Sequence, residues 1–113
     1  MNRANKLIKF VEEDKASYYN VEYYLEVGEH GGAGDFPNME QALKKAREIE
    51  IDDDTWYVGI MTDASEFAIV YVTQDYIDLM NERDTFADEK TKETWMTAAQ
   101  KALQSGKEVI GKW

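Results

Sequence analysis

The chain has 113 residues, of which 43% are apolar and 32% charged, with a net charge of −10 and no cysteine. That length and composition predict one acidic α/β domain, 1–113, with a single modest core, and not a disordered chain. They exclude a disulfide framework, a thiolate metal site and a cysteine nucleophile, and so acidic a body argues against direct binding to nucleic acid or to an anionic membrane.

The charge is uneven. Residues 1–20 and 87–113 are each net +1, whereas 21–40 hold five acids and no base, and 55–86 six acids and one base. The opening stretch MNRANKLIKFVEEDK is amphipathic and charged, unlike a secretory signal. The apolar runs fall far short of the ~20 residues that a spanning helix needs. A cytoplasmic protein without a membrane partner is the expectation.

In chain order, Ala4, Leu7, Ile8 and Val11 recur at helical spacing and predict a helix over 3–14. Residues 17–27, SYYNVEYYLEV, alternate as a half-buried strand does. Tyr19, Val21, Tyr23, Leu25 and Val27 are expected to point inward, and Tyr18, Asn20, Glu22, Tyr24 and Glu26 outward. Gly28 to Pro37 holds four glycines and one proline in ten residues, which predicts a mobile loop. Residues 38–50 read as a helix, with Asn38 as N-cap and a stripe of Met39, Ala42, Leu43, Ala46 and Ile49. Asp52, Asp53 and Asp54 end it, because acids oppose the dipole at a helix C-terminus.

Thr55 to Gln74 then reads TWYVGIMT, DASE, FAIVYVTQ: two β-rich runs around a polar turn, hence an antiparallel hairpin. Both faces of its second strand are apolar, so that strand should be covered on both sides, at least in part. Asp75 is expected to cap a short helix, DYIDLMNER, and Phe86 to tuck down from a polar loop. A last helix runs from about Lys90 to Ser105 with Gly106 as its left-handed cap. The tail KEVIGKW reads either as a short edge strand or as a segment docked through Val109, Ile110 and Trp113. The order α-β-α-β-β-α-α predicts an α+β fold: a mixed sheet of three or four strands with helices mainly on one face.

Strand, GEHGGAG, helix is the order of phosphate-binding loops, yet the spacing matches neither dinucleotide nor Walker patterns, and Glu29 and Asp35 stand where a phosphate would go. His30, the sole histidine, lies among glycines that position it poorly as a general base. Asp52–Asp54 lack calcium-loop spacing and read as a solvated turn. No cofactor, metal or catalytic residue is implied, and the chain reads as a non-enzyme.

The outer face of the first strand is the favoured site. Tyr18, Glu22, Tyr24 and Glu26, next to Glu29 and Asp35, would set tyrosine rings and carboxylates against arginine or lysine on a basic protein partner. In size, charge and lack of cysteine the chain resembles bacterial immunity proteins and phage-encoded inhibitors, including DNA-mimic anti-defence proteins. The resemblance is one of composition and carries no motif. It implies an inhibitor that occupies a cationic groove meant for nucleic acid. Two other readings are a self-associating structural or regulatory domain, such as a homodimer, and a small-molecule binder or enzyme using the Gly28–Pro37 loop.

Overall fold

The computed structural model describes residues 16–26 and 29–113; the helix expected over 3–14 lies outside them. Strands β1 (Tyr19–Leu25) and β2 (His30–Phe36) precede helix α1 (Met39–Glu48). Strands β3 (Thr55–Thr62) and β4 (Glu66–Val72) follow, then α2 (Gln74–Arg83), α3 (Glu89–Ser105) and β5 (Val109–Lys112). The α+β class stands, but the sheet has five strands in the order β2-β1-β3-β4-β5, and every pairing is antiparallel. The expected mixed sheet of three or four strands is therefore corrected.

The correction begins at the glycine-rich segment, which is a strand and not a loop. Its ladder with β1 runs from Tyr19↔Phe36 to Tyr24↔His30. Glycine disfavours a strand by its entropy and its missing side chain, but here the Tyr23 ring covers Gly31 and supplies the contact that the glycine lacks. The register slips between Val21 and Glu22, and Gly34 beside that slip takes a φ of 115°, a conformation that favours glycine. This extra strand reverses the chain before α1, so β3 returns antiparallel to β1, and no parallel crossover joins them.

Helices cover both faces, not mainly one. On one face α1 packs Ala42, Leu43 and Ala46 against Tyr19, Val21, Val58, Ile60 and Ala68. On the other, α2 and α3 pack Tyr76, Ile77, Trp95, Ala98, Ala99 and Ala102 against Tyr57, Phe67 and Ile69. The hairpin strands face both ways, which is why β4 is apolar on both sides. Val21, Val58, Ile60 and Ile69 are the largest fully buried side chains. Each contributes roughly 1.5–3 kcal/mol relative to exposure.

The caps follow their local chemistry. Asn38 accepts from the Gln41 N–H at 2.8 Å. Thr73, two residues before the expected Asp75, caps α2 by accepting from the Tyr76 N–H. Asp88 caps α3, and Gly106 ends it with a φ of 67°. The tail forms β5 on the β4 edge, and an Arg47–Glu108 ion pair ties α1 to the segment that enters it. No helix among the described residues is long and apolar enough to cross a membrane.

Candidate binding cavity

Alternation along β1 sends Asn20, Glu22 and Tyr24 to the α2–α3 face, opposite Met61, Gly59 and Tyr57 of β3. The helices do not close over this face completely. They leave a cavity of about 380 Å³. Its floor is Glu22, Tyr24, Tyr57 and Phe67; α2 contributes Tyr76, Met80 and Arg83; the α2–α3 connection adds Phe86, and α3 adds Trp95. Met61 and Trp113, both exposed, line its open side, where Trp113 stacks on Phe67 at 4.3 Å.

The walls are an aromatic network. Tyr57 and Tyr76 stack at 4.6 Å with planes 15° apart. Tyr24 meets Tyr76 at 5.3 Å, Trp95 stands edge-on to Tyr76 at 6.0 Å, and Phe86 lies 5.8 Å from Trp95. Such tilted and offset contacts add to the area that the rings bury.

Glu22 is the one carboxylate on this floor. Burial raises its pKa above the ordinary glutamate value, and the charge of nearby His30 pulls it partly back. Burial raises the Tyr57 hydroxyl well above its usual value, and the Glu22 charge adds to the rise. Tyr76 is raised for the same reasons, burial first, with the charges of Tyr24 and Glu22 next and Arg83 opposing. No ion pair reaches Glu22 or Arg83 among the described residues. The cavity therefore holds opposite charges that do not neutralise each other by contact.

The six residues expected to form one binding face are divided. Glu22 and Tyr24 line the cavity under the helices, half-buried instead of solvent-facing. Asp35, near the end of β2, accepts a hydrogen bond from the Asn20 side chain at 2.7 Å. Glu26 and Glu29 are exposed at the other end of the sheet. Tyr18, 39% exposed, precedes β1. His30 belongs to β2 and sets its ring 5.3 Å from Tyr24. The segment expected as a loop over Gly28–Pro37 forms a strand at His30–Phe36.

Sequence reasoning missed Arg83 and the walls Tyr57, Tyr76 and Trp95. The signal available was Arg83 itself, the sole base among residues 55–86. Tyr57, Tyr76 and Trp95 carry the same pattern as core residues, so nothing in their spacing distinguished them.

At the Glu26 end, the Leu25 N–H donates to the Glu29 carbonyl and the Glu26 N–H to the Asp54 carbonyl, each at 2.8 Å. The Asp52 carboxylate accepts from the Asp54 N–H at 2.9 Å and from the Thr55 hydroxyl at 3.2 Å. Asp52 thus shapes the turn into β3. Glu26, Glu29, Asp52, Asp53 and Asp54 share this end with Ile51, which is 44% exposed. Among the described residues no group of three or more His, Asp or Glu is arranged to hold a metal ion.

Comparison with protein-family models, curated proteins and solved structures found no match for the chain.

Proposed function

We propose that the protein acts by binding: an acidic inhibitor-type protein that engages a basic, nucleic-acid-binding protein partner through carboxylates presented in place of phosphates. The observation that carries this reading is the acidic end of the sheet. The backbone hydrogen bond from the Glu26 N–H to the Asp54 carbonyl draws two acidic turns together, beside the exposed Ile51. Neither Ala16–Leu43 nor Glu48–Glu82 contains a lysine or arginine. An apolar centre with a charged rim suits a protein interface, and clustered carboxylates speed encounter with a cationic surface.

The test is capture of a basic nucleic-acid-binding protein on the immobilised chain, with release by salt and competition by duplex DNA. The triple variant Glu26→Lys, Glu29→Lys, Asp53→Lys should abolish capture. Capture indifferent to salt, to DNA and to this charge reversal would sink the proposal.

A further inference from the structure

We propose that the cavity under α2 and α3 is a site for a small zwitterion, an ammonium and a carboxylate on an apolar body such as a large α-amino acid, with Glu22 taking the ammonium and Arg83 the carboxylate. The site is separate from the acidic end and goes beyond the partner-binding reading.

Size comes first. About 380 Å³ lies within the range of small-molecule pockets, which are mostly apolar with a few convergent polar groups. The aromatic walls described above give that apolar lining.

Charge then narrows the ligand. A carboxylate withdrawn from water without a partner is costly, and Glu22 has no cationic partner in contact among the described residues. Arg83 lines the same cavity from the last turn of α2. Its neighbour Asp84 pairs instead with Lys92 at 3.5 Å. A simple cation would satisfy Glu22 and face Arg83. A simple anion would do the reverse. A hydrocarbon would leave both unanswered. A ligand with both charges answers both.

Geometry agrees with chemistry on each side. An ammonium beside Glu22 would sit among the rings of Tyr24, Tyr57 and Tyr76, which line the cavity with it, and aromatic rings attract a cation. A guanidinium grips a carboxylate with two parallel N–H donors. The ligand's apolar body would then lie toward Phe67, Met61 and Trp113 at the open side.

The experiment is calorimetric titration of the full chain, with tryptophan fluorescence as a second readout. The probes are phenylalanine, phenylethylamine, which lacks the carboxylate, and phenylpropionate, which lacks the ammonium. Phenylalanine should bind at least about tenfold more tightly than either, a difference of about 1.4 kcal/mol. Glu22→Gln should erase its advantage over phenylpropionate, and Arg83→Gln its advantage over phenylethylamine, in variants whose melting shows that they fold. Absence of heat and of fluorescence change with all three probes overturns the proposal. So does equal affinity for phenylalanine and phenylethylamine, which would make this a pocket for a lone cation such as a partner's lysine side chain. Because the acidic-end residues are intact in both variants, capture of a basic protein stays a separate result.

Discussion

Glu22 on β1 lies directly opposite Gly59 on β3, and the space above Gly59 is filled by the hydroxyl end of Tyr57 from the same strand. Folding and cavity chemistry meet at this pair. The missing side chain at position 59 lets the Tyr57 ring lie down under Tyr76, where burial first and the Glu22 charge second raise its pKa.

Gly59→Ala should therefore be among the most damaging small substitutions. A Cβ there collides with the buried Tyr57 ring and comes within 2.9 Å of the Ala68 carbonyl, a backbone atom that cannot swing away. Overpacking of this kind costs roughly 1–3 kcal/mol or more. At Gly31, on the edge strand β2, the nearest atoms to an added Cβ belong to the half-buried Tyr23 side chain and not to backbone, so the cost of Gly31→Ala should be smaller. Denaturant melts of the two variants check the order, and equal loss would contradict it.

Glu22 sets one part of the pH dependence. Its folded pKa is raised by burial above the unfolded value. The folded chain then binds more protons than the unfolded chain between the two values, so stability falls as pH rises through that window and stays lowered above it. Glu22→Gln removes the loss. The melting temperature of the variant relative to the parent should increase from about pH 4 to about pH 7. A constant difference over that range would show that the carboxyl is not desolvated.

Ile69 is fully buried in β4, in the cluster with Tyr57, Tyr76 and Trp95. Ile69→Ala should cost about 2–5 kcal/mol, transfer and cavity terms together. That is a large share of the roughly 5–15 kcal/mol that holds a domain folded. A melting temperature unchanged by this substitution would remove β4 from the core.

Thr73 has two duties at the start of α2. Its oxygen accepts from the Tyr76 N–H at 3.3 Å, and its hydroxyl donates to the Trp56 carbonyl at 3.1 Å. Thr73→Ala should cost about 1–2 kcal/mol, whereas Thr73→Ser should retain most of the stability. Because α2 carries Tyr76 and Arg83 over the cavity, near-ultraviolet circular dichroism should register the loss in the aromatic network as well.

The hairpin, the Asn38 and Gly106 caps, the apolar stripes of α1 and α3 and the two-sided burial of β4 were legible in the sequence. Periodicity and cap chemistry act within a few residues of chain, and neighbouring residues are enough to reveal them. The strand at His30–Phe36 was not legible. Three glycines within seven residues argue for a loop locally, and pairing with β1 and the ring of Tyr23 override them. With that strand the chain reverses, the sheet becomes fully antiparallel, and helices fall on both faces. The cavity is more distant still from the sequence. The alternation of β1 established that Glu22 and Tyr24 share a face, but not that α2 and α3 would roof it with Tyr76, Arg83 and Trp95. Composition and local periodicity are enough for the acidity, for the helices α1 and α3 with their apolar stripes, and for strands β1, β3 and β4. That a carboxylate and an arginine some 60 positions apart, Glu22 and Arg83, line one cavity follows from the packing of α2 against the sheet, which no local pattern records.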